Sequence, residues 1–245
     1  MPIFDSQSAE KINHQIENLD WEQITQQMHD RGYSIIQNFL SDDFCDLIKS
    51  HYDTENLYRK TVNMQRYRFG LGEYKYFNYP LPNLIQLIRT QFYSHLVPIA
   101  NAWFRVLKID QQFPHIHAEL LTQCQLDGQE KATVLILKYQ QHGFNTLHQD
   151  LYGGVYFPIQ VVIFLSQENV DFTGGEFVFN EQTPRAQSKA IVLKPNKGDV
   201  LIFTTQFRPV KGTHGYYRVN MKHGVSEIHS GERYTLGIIF HDAVS

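Results

Sequence analysis

The stretch LHQDLYG (147–153) places His148 and Asp150 one residue apart, with an apolar run after them. In an extended strand, residues i and i+2 face the same side, so the imidazole and the carboxylate converge while Leu147 and Gln149 turn away. A neutral imidazole and a carboxylate are two of the three ligands in the 2-His-1-carboxylate triad, which holds non-heme Fe(II) on one face and leaves the other open. A third ligand has to be a histidine later in the chain, and the candidates are His214, His223, His229 and His241. His229 stands too near Arg233, His241 comes after it, and His214 sits in a glycine-flanked GTHGYY that suits a loop over a substrate. His223, ten residues before Arg233, is the choice: near the start of one strand, with the arginine opening the next. The plainer alternative for His148 and Asp150 is a hydrogen-bonded structural pair.

Arg233 is followed at the next same-face position by Thr235. A guanidinium beside a hydroxyl suits a carboxylate anion inside an apolar barrel, because arginine stays charged and can bind two oxygens at once. An arginine entering RYTLGIIF for structural reasons alone would need another partner. Glu232 is adjacent, but neighbouring strand residues face opposite ways.

His148-Gln149-Asp150, His223 and Arg233-Tyr234-Thr235 together resemble the pattern of the Fe(II)/2-oxoglutarate-dependent dioxygenases: His-x-Asp, a distal His, then Arg-x-Ser or Arg-x-Thr. The approach LILKYQQHGFNTLHQD (135–150) is similar to the corresponding segment of the AlkB-type DNA repair enzymes. RFGLGEYKYF (68–77) and HGVSEIHSGERYTLGIIFHDA (223–243) resemble a bacterial branch of presumed oxygenases of damaged nucleic acid. AlkB enzymes carry a further arginine after their Arg-x-Asn segment, where this chain has Ile239, Phe240 and His241. The resemblance implies Fe(II) on His148, Asp150 and His223. It implies 2-oxoglutarate held at its far carboxylate by Arg233, with Thr235 and Tyr139, and O2 as the oxidant. The reaction it implies is oxidation of a substrate C–H bond with release of succinate and CO2, in the form of oxidative dealkylation of a modified nucleobase. Two rivals stand beside it: a hydroxylase of protein side chains of the prolyl type, and a non-catalytic jelly-roll module that binds metal or senses it.

The elements that must position these residues change character along the chain. Ile12, Ile16, Leu19, Ile24 and Met28 recur at helix spacing until Gly32, a short strand fits YSIIQNFL (33–40), and Ser41 opens another helix. A third helical stretch runs from about Pro82 to Leu107, with Pro98 expected to kink or divide it. LYRKTVNMQRYRFGLGEYKYFNYP (57–80) reads as a loop or irregular hairpin. From 132 on, short segments rich in β-branched and aromatic residues alternate with turn signals such as DFTGG and KPNKGD. The expected architecture is mostly β with α: a double-stranded β-helix, or jelly roll, over 132–245, with residues 1–131 as a helical N-terminal extension and substrate loop packed on it. HIHAE (115–119) offers His115, His117 and Glu119 in alternation, as metal ligands on one strand would stand, but without the glycine frame of a cupin a structural role is the better reading.

The 245 residues carry a formal net charge of −3, which argues against a strongly basic nucleic-acid binder without excluding a local patch. Two stretches are such patches: Arg59, Lys60, Arg66 and Arg68 among Tyr58, Tyr67 and Phe69, and Arg208, Lys211, Arg218 and Lys222 around Tyr216 and Tyr217. Cations interleaved with rings suit a single strand or a flipped base, and both stretches read as lids over the site. The alternative for each is a solvated loop that only gates the pocket. Cys45 and Cys124 are the two cysteines, in apolar settings and without a CxxC, which suits a reducing cytoplasm. No apolar run reaches the length of a membrane span and the start lacks the pattern of an export signal, so a cytoplasmic location is expected.

Overall fold

The computed structural model describes residues 6–151 and 153–245. Residues 1–5, part of the stretch read for an export signal, lie outside the described residues. The helix-spaced residues of the first third form α1 (Ser6–Glu17), α2 (Trp21–Arg31) and α3 (Asp42–Ser50). Ile12, Ile16, Ile24 and Met28 are their buried stripe. α2 stops at Gly32, whose φ of 79° is left-handed and lets its N–H return to the Met28 carbonyl.

α4 (Asn83–Val106) runs through Pro98 as one helix, so of the kink or division expected there the division does not occur. Leu96, Val97, Ile99 and Ala100 are all buried around the proline, so core packing holds the helix across the missing N–H bond. α5 (His117–Leu126) occupies the place of the alternating strand considered at HIHAE. His117 opens that helix with its ring buried and Nε2 2.7 Å from the Phe240 carbonyl, which is a structural contact.

The strands, in chain order, are β1 (Tyr33–Ile36), β2 (Tyr58–Asn63), β3 (Gly70–Leu71), β4 (Glu73–Phe77), β5 (Leu135–Tyr139), β6 (Phe144–His148), β7 (Ile159–Phe164) and β8 (Phe172–Gly174). They continue with β9 (Phe177–Gln182), β10 (Lys189–Leu193), β11 (Val200–Thr204), β12 (Phe207–Gly212), β13 (Gly215–Val225), β14 (Ile228–Gly231) and β15 (Arg233–Ile238). One sheet has the order β1-β11-β7-β15-β5-β4-β2, and the other β10-β9-β13-β6-β3 with β12 along β13. Every named pairing is antiparallel, and the two sheets form the double-stranded β-helix.

The larger sheet is apolar on both faces, as a layer between two packed partners must be. Ile136, Val161, Ile163, Ile202, Leu236 and Ile238 face the helices and share their core. The alternate residues Leu135, Leu137, Val162, Phe203, Thr235 and Gly237 line the interior cavity. Residues 1–131 give this sheet β1, β2 and β4, so the N-terminal part is built into the β structure as well as packed on it.

Of the two basic stretches, 57–80 is an irregular hairpin, one of the two forms expected, with a register shift between Tyr58 and Lys60, whereas the lid expected at 208–222 is corrected. Within 57–80, β2 and β4 pair with each other and β4 pairs with β5. The stretch 208–222 is the hairpin β12–β13, in register from Phe207↔Asn220 to Gly212↔Gly215. Its outer half is exposed on most side chains, so the apolar alternation that marks a half-buried strand is missing there.

Candidate active site

His148 is the last residue of β6, and His223 on β13 lies directly across from it. Their ring centroids are 4.3 Å apart. Asp150 lies two residues past the strand end, yet the chain still turns its carboxylate in: Oδ1 is 3.3 Å from His148 Nε2 and Oδ2 is 3.3 Å from His223 Nε2. One ligand atom from each of the three lies within 4.8 Å of the others. The structure thus brings together the three residues expected from spacing.

The two histidines are held differently, His148 by a hydrogen bond and His223 by ring packing. His148 Nδ1 is 2.7 Å from the Thr146 carbonyl. A carbonyl only accepts, so Nδ1 carries the proton and the Nε2 lone pair faces the site. The Thr146 N–H and hydroxyl both donate to the Phe69 carbonyl at 2.9 Å, which fastens β6 to the segment before β3. Gln149, between the two ligands and expected to turn away, is on the cavity wall and donates from Nε2 to the Gln206 and Met221 carbonyls at 2.8 and 2.9 Å. That amide ties the His-x-Asp segment to the strand that carries His223. The His223 ring lies parallel to Phe177, with centroids 5.8 Å apart, and edge-on to Phe203.

The electrostatics are those of a site built for a cation. Burial opposes the charged form of Asp150, but hydrogen bonds and charges from His148 and His223 outweigh it and hold the carboxyl well below its usual range. Burial also opposes protonation of His148, yet Asp150 leaves its pKa raised. For His223, burial and then the His148 charge win over Asp150, and its pKa is lowered. A carboxylate that stays charged and imidazoles that give up protons to a cation are what a divalent metal requires.

Arg233 opens β15 directly across from Tyr139 on β5. Both side chains are buried, Arg233 at 2% exposure. Its Nε has no hydrogen-bond partner, and no salt bridge reaches the guanidinium among the described residues. Its neighbours are rings instead, with Phe164, Tyr139 and Phe172 centroids at 5.4, 5.7 and 5.9 Å. Burial lowers its pKa to about 10, so it stays charged at neutral pH. Burial pushes the Tyr139 phenol up to about 12, against the opposing pull of Arg233 and Asn145. Arg233, Thr235 and Tyr139 line the same cavity of about 220 Å³ as His148, Asp150 and His223. A buried charge without a counter-ion is costly, so the arrangement fits an incoming carboxylate.

The other histidines are elsewhere. His214 is exposed in the turn of β12–β13, and nine residues of extended strand put it roughly 30 Å from His223. His229 is exposed on β14, and His241 is buried with Nδ1 accepting from the Phe157 N–H at 3.0 Å. Two functional candidates went unread in the sequence. One is Gln149. The other is Gln160, a buried amide on the cavity wall whose Nε2 has no partner, signalled only by a single polar residue in FPIQVVIF.

The basic residues divide. Arg59 donates to the Ala132 carbonyl and stacks on Tyr76, and Arg208 pairs with Glu181 at 2.8 Å, so both are engaged inside the molecule. Lys60, Arg66, Arg68, Lys211, Arg218 and Lys222 are exposed, with no salt bridge among the described residues. Register puts Lys211, Tyr216, Arg218 and Lys222 on the face of β12–β13 opposite to His223. Three of the four cations of the second stretch are therefore no lid over the cavity. Arg66, Arg68 and Phe69 lie beside it, with Phe69 on its wall.

The fold and the site define a class, the Fe(II)- and 2-oxoglutarate-dependent oxygenases. The chain resembles a prolyl-4-hydroxylase of Pseudomonas putida with a TM-score of 0.53 and 13% identity, over 89% of this chain and 97% of that one. An oxidoreductase of the 2OG-Fe(II) oxygenase family from Burkholderia pseudomallei gives 0.53 and 14%, over 93% and 95%. Residues 72–243 match the model of a family described as "Oxygenase, catalysing oxidative methylation of damaged DNA", and the chain belongs to that family. Uncharacterized proteins of Mycobacterium tuberculosis strains CDC 1551 and H37Rv are each 44% identical to it over 164 residues, 67% of this chain and 70% of theirs. No helix among the described residues is long and apolar enough to cross a membrane.

Proposed function

We propose that this oxygenase removes alkyl groups from modified nucleobases by oxidation, with His148, Asp150 and His223 holding Fe(II) and Arg233 holding 2-oxoglutarate. The observation that carries the cosubstrate assignment is Arg233, a buried guanidinium without a carboxylate partner in the cavity the three ligands share. Fe(II) bound there couples O2 reduction to the decarboxylation of 2-oxoglutarate, giving succinate and CO2 and passing one oxygen atom into a substrate C–H bond. At an N-methyl group the product is an N-hydroxymethyl, which leaves as formaldehyde and restores the base.

The chain's own residues do the positioning. Arg233 binds the distal carboxylate, with Thr235 and Tyr139 as hydroxyl donors beside it. Phe164, Phe172 and Phe177 keep water from that end, so the charges act in a low dielectric. Tyr74, Tyr76 and Gln160 line the cavity with rings and one amide, which suits a flat heterocycle with hydrogen-bonding edges. The family's description and the exposed Arg66 and Arg68 support a nucleic acid as the carrier of that base. In this reading 132–245 is the catalytic core, and 1–131 buttresses it and supplies the substrate segment.

The test is Fe(II)- and 2-oxoglutarate-dependent formaldehyde release from a single-stranded oligonucleotide carrying N-methylated bases. Wild type is expected to release it, and His223→Ala to lose both turnover and iron while His214→Ala keeps both. Release of succinate with a prolyl peptide and none with any oligonucleotide would replace this reading with the prolyl-hydroxylase one. That rival is supported by the prolyl-4-hydroxylase likeness, which at 13% identity speaks for fold alone.

A further inference from the structure

Two exposed aromatic rings stand at the lip of the cavity. Tyr67 and Phe69 are 55% and 44% exposed, and their rings stack with centroids 5.5 Å apart at 17°. Exposed rings placed singly are ordinary, but a pair already stacked in water, and anchored, is a prepared surface. The anchor is backbone. Arg68 is left-handed at φ 60°, which ends the turn Met64–Tyr67 and sets Tyr67 and Phe69 side by side. Gly70 then pairs with Asn145, and the Phe69 carbonyl takes both donors of Thr146. Gly70 cannot be replaced cheaply there, since a Cβ would lie 2.2 Å from the Phe144 carbonyl oxygen.

The surroundings are cationic. No acidic residue occurs between Leu57 and Gly72, and Arg66 and Arg68 flank Tyr67 without a salt bridge among the described residues. A proline-rich peptide could cover the rings, but it brings no anion for the two arginines. A single-stranded nucleic acid brings both a flat face and a phosphate at every step. A duplex offers the phosphates but keeps its base faces stacked on one another.

Resting on the nucleobase reading above, we infer that the Tyr67–Phe69 stack is a platform for the unmodified base next to the one in the cavity. Arg66 and Arg68 take the phosphates of that single strand. The platform makes the smallest well-bound substrate longer than one nucleotide. It also favours single strands over duplexes without choosing a sequence.

The experiment is fluorescence anisotropy of the full chain with a labelled single-stranded deoxythymidine decamer, at low salt and over a salt series. Tyr67→Ala is expected to weaken binding about tenfold with an unchanged salt slope, and Tyr67→Trp to restore it. The double variant Arg66→Gln with Arg68→Gln is expected to flatten the log–log salt slope by about 1.4. A duplex of the same length is expected to bind less tightly and to ignore Tyr67. Wild-type binding of the decamer that Tyr67→Ala matches would reject the platform and leave the nucleobase reading standing. Absence of binding by wild type at low salt, or binding of a proline-rich peptide in its place, would remove both.

Discussion

Two buried arginines, Arg89 and Arg233, show what separates a structural charge from one kept for a ligand. Arg89 on α4 is fully buried and fully used. It pairs with Asp242 at 2.8 Å, donates to the Tyr79 hydroxyl at 2.7 Å, and reaches the backbone carbonyls of Ile239 and Phe240 at 2.9 and 3.1 Å. Arg233 is just as buried but meets rings and open space, with Nε left without a partner. The first arginine closes the C-terminal segment onto the helices. The second carries a charge with no salt bridge among the described residues.

The largest expected effect falls on the closed cluster. Arg89→Leu leaves the Asp242 carboxylate buried without its counter-ion, with the Tyr79 hydroxyl still donating to it, and is expected to cost about 3–5 kcal/mol in denaturant melts. If it cost no more than Arg233→Leu, the contrast between the two arginines would collapse. Arg233→Leu removes a buried charge that no salt bridge among the described residues neutralises, so stability should hold or rise. The KM for 2-oxoglutarate should rise about a hundredfold, on the order of 3 kcal/mol of lost charge-assisted bonding.

A pH dependence sharpens the same contrast. His117 packs near the Arg89 cluster, and burial, then the Arg89 charge, lower its pKa to about 3 from an ordinary 6.5. As pH falls below 6.5 the unfolded chain takes up this proton and the folded chain does not. The stability His117 contributes is therefore complete above pH 6.5 and drains away towards pH 3. Between pH 7 and 4.5 this amounts to about 2 kcal/mol, and His117→Asn should flatten the loss by that much in urea melts. The smallest effect concerns Gln149. Gln149→Leu breaks both bonds to the β12–β13 region and should weaken Fe(II) binding about tenfold, read by metal titration, with the fold retained. A Gln149→Leu protein that binds metal as wild type does would mean that β6 and β13 hold their ligands without help.

What the sequence made legible follows from which signals are local. His148, Asp150, His223, Arg233 and Thr235 could be read because each sits in or beside a strand, where a period of two fixes the facing. The match of Arg233 to Tyr139 across two strands came from likeness alone. Arg89 and Asp242 are 153 residues apart, and no period or spacing joins them. Gln149 went unread because an alternating period gives only a facing, whereas its role lies in the amide bond it makes to β13. The β12–β13 hairpin was read as a lid because its cations and tyrosines hide the strand pattern. β13 extends eight residues beyond His223 towards its start, and register then sends three of those four cations to the far face.

The bond chain from Phe69 through Thr146 to His148 ties the rim of the cavity to its centre. The Phe69 carbonyl takes both donors of Thr146, and the Thr146 carbonyl in turn orients the His148 imidazole. One threonine is thus the shared footing of the outermost ring pair and the innermost histidine.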